Sequence, residues 1–71
     1  MNRIRELREK IGIRQIDVAR ELNISRTTVA KWESGKNFPR YNRLLKLAKI
    51  LKCNVVDLLS ENMWIKVISR W

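Results

Sequence analysis

The chain has 71 residues and a formal net charge of +9, with 45% hydrophobic and 32% charged residues. A chain of this length forms one small domain, and this composition is typical of a folded, helix-rich protein rather than a disordered one. It contains no histidine and a single cysteine, Cys53. This inventory excludes a structural zinc site and a nucleophile built from cysteine and histidine.

The excess of positive charge predicts a polyanionic partner, although charge alone does not distinguish DNA, RNA and an anionic membrane. No apolar run reaches membrane-spanning length, and residues 1–10 lack the apolar stretch of a signal peptide. One cysteine cannot form an internal disulfide, which agrees with a reducing compartment. We therefore expect a cytoplasmic protein.

A first helix is predicted over residues 2–11, where Ile4, Leu7 and Ile11 form one apolar stripe. Arg8 lies at the edge of this stripe, and the other charged residues of the segment lie outside it. The helix is therefore expected to bury one face and to hold Arg8 at the boundary of the core.

Two further helices are predicted over residues 15–22 and 26–34, separated by three residues. Ser25 is a good N-cap for the later helix, because its hydroxyl can accept a hydrogen bond from an amide of the first turn. Gly35 can take the left-handed conformation that follows a helix end. Four residues of the earlier helix are expected to pack against the rest of the domain: Ile16, Val18, Ala19 and Leu22. Two short helices joined by such a tight turn are typical of a helix-turn-helix.

The predicted helix over residues 26–34 has two different sides. At about 100° per residue, Val29 and Trp32 point to one side. The other side is small, polar and basic, with Thr27, Ala30, Lys31 and Ser34. A helix that lies in a DNA major groove needs an apolar side facing its own domain and donors facing base edges. An ordinary amphipathic surface helix shows the same division, so this pattern alone leaves both interpretations open.

The string Q-x-x-V-A-x-x-L-x-I-S-x-x-T-V-x-x-W-E-x-G, from Gln15 to Gly35, closely resembles the Cro and phage-repressor family of helix-turn-helix proteins. This family is also called the xenobiotic-response-element family, and the likeness extends from about Ile4 to Leu59. It implies an all-α, five-helix, lambda-repressor-like domain in which the second and third helices bind DNA. Together with the helix-turn-helix pattern, it makes double-stranded DNA the expected partner.

The resemblance also implies roles for individual residues. Three side chains at the third helix are expected to face bases: Arg26, Thr27 and Lys31. Gln15 is expected to touch a phosphate, which the positive end of the helix dipole also favours. Ser25 and Thr28 are expected to lie near the DNA backbone. Arg8 and Glu33 are expected to form an ion pair beneath the third helix, and the alternative is two solvated charges.

Two positions depart from the family pattern, in which glycine is common at both. Asn23 stands in the turn of the helix-turn-helix. Asparagine takes positive φ readily, so this turn is expected to survive. Lys52 follows the predicted fourth helix, where it implies some strain or a bend of different shape.

Residues 36–41 form a predicted loop in which Pro39 can begin the next helix at its first turn. Three polar side chains beside the third helix are expected to bind phosphates, with solvated charge as the alternative: Lys36, Asn37 and Arg40. The fourth helix, predicted over residues 41–51, turns four apolar residues to the core: Leu44, Leu47, Ala48 and Leu51. Arg43 can reach the DNA backbone from the start of this helix, whereas its later lysines are expected to be solvated.

A short fifth helix is predicted after Asn54, which caps it in a capping-box-like arrangement with Asp57. Its apolar residues complete the core or begin a dimer contact: Val55, Leu58 and Leu59. The domain is assigned to residues 1–61, and residues 62–71 are a separate tail. Alternation and β-branched residues in the tail suggest a strand. Some small members of the family that the chain resembles dimerise by pairing C-terminal strands, so the resemblance makes dimerisation the expected use of the tail. A helix, a segment folded onto the same domain and a disordered end remain alternatives.

These patterns predict a sequence-specific transcription regulator that binds double-stranded DNA, and we favour a repressor. A dimer places two third helices about one DNA turn apart, ~34 Å, so a homodimer on a palindromic operator is expected. No enzymatic activity, cofactor, metal, membrane or small-molecule substrate is expected. Two alternatives remain, which are an activator that acts in a promoter switch and an antitoxin that binds a toxin protein and autoregulates its operon.

Overall fold

The computed structural model describes residues 3–58, and all regular secondary structure in this range is helical. In this part of the chain the helices are α1 (Ile4–Ile11), α2 (Gln15–Leu22), α3 (Arg26–Ser34), α4 (Tyr41–Ile50) and α5 (Val55–Leu58). The described residues contain no strand, and the prediction of an all-α, five-helix domain is confirmed. The predicted C-terminal strand, the boundary between residues 61 and 62 and the dimerisation tail lie outside the described residues.

After four of these helices the chain takes the left-handed conformation, at the next residue for α1, α2 and α3 and one residue later for α4. These residues are Gly12 (φ 79°), Asn23 (φ 56°), Gly35 (φ 84°) and Lys52 (φ 55°). The amide of the next residue then donates to the carbonyl five positions earlier, as from Cys53 to Ala48 at 3.0 Å. Such bonds satisfy carbonyls that a helix end leaves unpaired. Asn23 therefore keeps the turn as predicted, and Lys52 forms the same kind of bend that glycine forms elsewhere in the chain.

Helix starts follow the predicted capping residues. The Thr28 amide donates to the Ser25 hydroxyl at 3.2 Å, which confirms Ser25 as the N-cap of α3. Before α5, the amide of Asn54 donates to a carboxylate oxygen of Asp57 at 3.0 Å. This bond is the reciprocal half of a capping box, in which the third helical residue reaches back to the cap.

The core is built around α2, which packs on α3 and α4, while α1 packs on α3 and α5 on α4. Its buried apolar residues are Ile4, Leu7, Val18, Ala19, Leu22, Val29, Trp32, Leu44, Leu47, Ala48, Leu51 and Leu58. Ala19 has no exposed surface, so its short side chain lets the neighbouring helices approach closely. The Arg3 amide donates to the Leu58 carbonyl at 3.2 Å and thereby joins the start of α1 to the end of α5.

Two residues predicted to pack in the core are more exposed than expected. Ile11 is 37% exposed, because the last residue of α1 borders an open groove that Lys52 also lines. Ile16 is half-buried and lies outside the core cluster. At about 100° per residue, Ile16 falls at the edge of the stripe that Val18 and Leu22 define on α2. Both predictions were wrong because helical periodicity gives the face of a helix but not how far its neighbours cover that face.

The ends of two helices also differ from the predicted bounds. Helix α1 begins at Ile4 rather than at residue 2, and α4 ends at Ile50 although Leu51 remains in the core. Cys53 is half-buried against this core, and burial raises the pKa of its thiol. The thiol is therefore a small packing group at the edge of the core rather than an activated nucleophile.

Candidate nucleic-acid interface

Helix α3 presents a polar face to solvent and an apolar face to the domain. Val29 has no exposed surface and Trp32 is 3% exposed, whereas Thr27 and Lys31 are exposed and Ala30 is half-buried. The buried tryptophan fixes the orientation of the helix about its axis. The outward face consequently combines short side chains with one long cation.

The start of α3 is held by two hydroxyls. Ser25 Oγ and Thr28 Oγ1 are 2.9 Å apart, in addition to the capping bond that Ser25 accepts. Ser25 is exposed and Thr28 is half-buried. Their mutual bond uses one of the two hydroxyl protons, so one proton is left to donate to an external acceptor. Arg26 follows immediately as the first, exposed residue of the helix.

Beneath α3, Arg8 and Glu33 form an ion pair. Arg8 Nε donates to Glu33 Oε2 at 2.7 Å and Arg8 Nη2 donates to Glu33 Oε1 at 3.2 Å. The side chains of Arg8 and Glu33 are 12% and 4% exposed. Arg8 Nη1 also donates to the Ile13 carbonyl at 2.8 Å, in the segment that leads into α2. The hydrogen bond to Glu33 raises the pKa of Arg8, and the pair is a charged, two-point link between α1 and α3.

The side chain of Gln15 lies between Glu33 of this pair and Arg26 at the start of α3. Its amide nitrogen donates to Glu33 Oε1 at 3.1 Å, and its amide oxygen accepts from Arg26 Nη1 at 2.9 Å. Sequence reasoning placed Gln15 on a phosphate and did not predict either contact. A side-chain amide has two hydrogens, so the second one remains able to reach a phosphate beside the start of α2.

Arg14 forms the start of α2 together with Asp17. The Arg14 amide donates to Asp17 Oδ2 at 2.8 Å, and its guanidinium makes hydrogen bonds of 3.1 Å to each carboxylate oxygen. The Arg14 side chain and the Arg14 amide lower the pKa of Asp17. Sequence reasoning missed this cap, although an acidic residue at the third position of a helix was the signal that could have shown it.

The loop after α3 carries the remaining predicted phosphate ligands. Lys36, Asn37 and Arg40 are exposed and Arg43 is half-buried. The loop is attached to the domain because Pro39 is buried and Phe38 packs against the core. Amides of residues 36 and 37 donate to the Lys31 carbonyl at 3.0 and 3.3 Å. The loop therefore continues directly from the exposed side of α3.

Positive charge is concentrated in the segment of the chain that follows α3. Three acidic residues earlier in the chain form ion pairs with neighbouring arginines: Glu6 with Arg3, Glu9 with Arg5 and Asp17 with Arg14. Residues 34–56 contain no acidic residue and six basic ones, which are Lys36, Arg40, Arg43, Lys46, Lys49 and Lys52. Within residues 3–58, no acidic side chain pairs with Lys31, Lys36 or Arg40. This local excess of cations is a feature of the sequence that the net charge of the whole chain does not reveal.

The described residues contain neither a group of metal-ligand side chains nor a membrane-spanning helix. No three residues of the histidine, cysteine, aspartate and glutamate types come together there in a way that could hold a metal ion. No helix in that part of the chain combines the length and apolar character needed to cross a bilayer.

Comparisons with known proteins agree with this geometry. Residues 4–58 match the family model described as helix-turn-helix. The chain is 34% identical over 58 residues to the HTH-type transcriptional activator BcrR of Enterococcus faecalis, and the matched region covers 82% of this chain and 28% of that protein. It is 33% identical over 65 residues to an uncharacterized HTH-type transcriptional regulator of Archaeoglobus fulgidus, covering 87% of this chain and 93% of the relative. It is 35% identical over 52 residues to repressor protein C2 of Salmonella phage P22, covering 73% and 24% respectively.

The chain thus spans about a quarter of the bacterial activator and of the phage repressor, and nearly the whole archaeal regulator. The matched region contains all five described helices and the complete helix-turn-helix. Helix-turn-helix domains bind double-stranded DNA with the second helix of the motif in the major groove, and the second helix of the motif in this chain is α3. The chain belongs to the helix-turn-helix family of Cro and phage-repressor type, the DNA-binding transcription regulators that the resemblance indicated.

Proposed function

We propose that this chain is a sequence-specific transcriptional repressor that reads the DNA major groove with α3. One observation carries the proposal, which is the division of α3 into a buried side anchored by Trp32 and an exposed side that carries Thr27 and Lys31. A helix held in this way can lie in the groove without leaving its own domain, and its exposed donors can reach base edges.

Base reading is assigned to Arg26, Thr27 and Lys31. The guanidinium of Arg26 and the ammonium of Lys31 can donate to the O6 and N7 acceptors of guanine. Thr27 can contact either a base edge or the methyl group of thymine. The exposure of all three side chains supports this assignment.

Backbone contacts are assigned to a second set of side chains around α3. They are Gln15, Ser25, Thr28, Lys36, Asn37, Arg40 and Arg43. Phosphate contacts of this kind fix the position and orientation of a protein on the duplex without reading sequence. The lack of ion-pair partners for Lys36 and Arg40 among the described acidic residues supports their part in it.

The test is a comparison of binding to a duplex selected from a random-sequence pool with binding to unselected DNA. Lys31→Ala should weaken specific binding by ~1–3 kcal/mol and relax preference at one base pair. Lys36→Ala should weaken both kinds of binding about equally, and Lys46→Ala, a change at an exposed lysine of α4, is the matched control. Equal losses on both duplexes for Lys31→Ala would exclude the base-reading role and leave a phosphate contact.

A homodimer on a palindromic operator is part of the proposal. Tyr41 and Leu45, 64% and 39% exposed, lie one turn apart on α4, and Val56 on α5 is 47% exposed. These exposed apolar side chains support a contact between copies, and residues 62–71 are proposed as a further dimerisation segment. Sedimentation equilibrium of the intact chain, of Leu45→Glu and of a chain ending at Glu61 tests both contacts. Monomers in all three samples would restrict dimerisation to the DNA-bound state.

Activation is a second candidate, because the chain is similar to a protein named as an activator as well as to one named as a repressor. A small domain can repress by occupying the promoter, whereas activation requires a productive contact with the transcription machinery. Transcription in vitro from a promoter with the selected site separates the two. Loss of transcript with increasing protein supports repression, and a gain supports activation.

A further inference from the structure

We infer that the buried Arg8–Glu33 pair is a positioning element for DNA reading, which acts through Gln15 on the guanidinium of Arg26. This inference rests on the proposed base-reading role of Arg26. It assigns a part in sequence preference to Arg8 on α1 and to Glu33 on the buried side of α3, although neither belongs to the exposed face of α3.

The four side chains form a continuous series of hydrogen bonds. Arg8 donates to both oxygens of Glu33, at 2.7 and 3.2 Å. Gln15 Nε2 donates to Glu33 Oε1 at 3.1 Å, and Arg26 Nη1 donates to Gln15 Oε1 at 2.9 Å. The series starts on α1, passes through the end of α3 and the start of α2, and finishes at the exposed start of α3.

The chemistry of the two neighbours fixes the orientation of the Gln15 amide. A carboxylate only accepts hydrogen bonds, and a guanidinium only donates them. The NH₂ group of Gln15 must therefore face Glu33, which leaves its carbonyl oxygen facing Arg26. If the amide were rotated by 180°, its oxygen would face a carboxylate and its NH₂ group would face a guanidinium, so both bonds would be lost.

Burial decreases along the series from Glu33 through Gln15 to Arg26. The Glu33 side chain is 4% exposed and receives bonds from both Arg8 and Gln15. Arg8 also binds the Ile13 carbonyl, so the same guanidinium holds the segment before α2 and the end of α3. Gln15 is half-buried and Arg26 is exposed. A long side chain that would otherwise occupy many rotamers is thus attached at one guanidinium nitrogen to a fixed acceptor.

Attachment leaves the remaining guanidinium donors of Arg26 available for DNA. A guanidinium has five N–H donors, and the bond to Gln15 uses one on Nη1. Bidentate recognition of guanine requires two donors in a defined plane. Holding Nη1 before DNA arrives restricts that plane, so less conformational freedom is lost on binding.

The experiment measures discrimination at each base pair of the selected duplex, as the ratio of dissociation constants for the selected and the substituted base pair. The variants are Arg26→Ala, Gln15→Met, Glu33→Gln and the doubles of Arg26→Ala with each of the other two. Gln15→Met retains length while removing both amide bonds at a half-buried position, so it remains informative if Glu33→Gln reduces stability. Thermal unfolding of each variant identifies a temperature at which all variants are folded, and the dissociation constants are measured at that temperature. Glu21→Gln, at an exposed carboxylate of α2, is the control.

We expect Gln15→Met and Glu33→Gln to lower discrimination roughly 3- to 10-fold at the base pair where Arg26→Ala abolishes it. Discrimination at base pairs read by Lys31 should stay unchanged, and neither change should lower discrimination further at any base pair in the Arg26→Ala background. Unchanged discrimination, an equal fall at every base pair, or additive losses in the doubles would overturn the inference while leaving the proposed function intact. If Arg26→Ala itself changes no preference, the proposed role of Arg26 and this inference both fail.

Discussion

Arg8 Nε lies 2.7 Å from Glu33 Oε2, and these two residues, 25 positions apart in the chain, join α1 to α3 through a pair that is almost fully enclosed. Burial removes water from both charges, which offsets much of their mutual attraction. The net contribution of such a pair to stability is therefore small, whereas a single buried charge without its partner is strongly unfavourable.

Loss of Arg8 alone should consequently destabilise the domain more than loss of the pair. Arg8→Met should lower the free energy of unfolding by ~3–5 kcal/mol, because Glu33 is left charged and buried. The double change Arg8→Met with Glu33→Leu should recover most of that loss. Urea unfolding measures both values, with Arg5→Met at an exposed pair as a control expected to cost less than ~1 kcal/mol. A double variant no more stable than Arg8→Met alone would contradict this expectation.

Local capping signals made much of the fold predictable from sequence. The bounds of α2 and α3 agree with the predicted ones, because Ser25, Asn23 and Gly35 determine where the chain can enter or leave a helix. The buried side of α3 followed from helical periodicity at Val29 and Trp32. These features depend on residues within one turn of each other, which is the range over which sequence patterns are informative.

Contacts between distant residues were less accessible to sequence reasoning. Spacing did not show that Arg8 and Glu33 meet, since only the family resemblance implied it. The bond between Gln15 and Arg26 could not be found from periodicity, because it depends on the crossing of α2 and α3 and on the rotamers of two long side chains. The exposure of Ile11 likewise depends on where the end of α4 leaves an open groove.

Trp32 should be a principal source of stability. Its side chain is 3% exposed, and truncation would leave a large cavity between α3 and the rest of the core. Trp32→Ala should lower the free energy of unfolding by ~3–5 kcal/mol in denaturant titrations. Lys46→Ala is the control, because Lys46 is an exposed residue of α4, and its change should stay within about 0.5 kcal/mol. Similar losses for the two variants would contradict the packing role of Trp32.

Asp17 should make folding stability depend on pH at the acidic end. The Arg14 side chain and amide lower the pKa of Asp17 in the folded state from its ordinary value of 3.8. Above that value the carboxylate is ionised in both states and its stabilising contribution is fully present. As the pH falls below it, the unfolded state binds the proton first, and the contribution is lost as the pH passes through the folded-state pKa.

Urea unfolding of the wild type and of Asp17→Asn between about pH 2 and pH 6 isolates the contribution of the Asp17 carboxylate to the free energy of unfolding. The difference in stability should be constant in the upper part of that range and should shrink in the lower part. Arg14→Met should reduce the pH dependence without abolishing it, since the Arg14 amide still donates to Asp17. A difference that does not vary with pH would show that the ion pair contributes nothing to folding.

Lys52 occupies a conformation that suits glycine better than lysine. Its φ of 55° is in the left-handed region, and no glycine stands at this position to relieve contact between Cβ and the backbone. For an L residue this conformation costs roughly 1–2 kcal/mol, and the greater freedom of glycine in the unfolded chain offsets about 0.5–1 kcal/mol of that. Lys52→Gly should therefore stabilise the domain by about 0.5–1 kcal/mol and raise the Tm by roughly 2–8 °C.

The matched control for Lys52→Gly is the same substitution at Lys49, three residues earlier on the exposed side of α4. Lys49 has helical backbone geometry, so glycine there should cost about 1 kcal/mol and lower the Tm. If the Tm rises for Lys52→Gly and falls for Lys49→Gly, the effect comes from backbone conformation, because both lysines are exposed and carry the same charge. A fall in Tm for both variants would instead mean that the Lys52 side chain contributes more to the folded state than its left-handed φ costs.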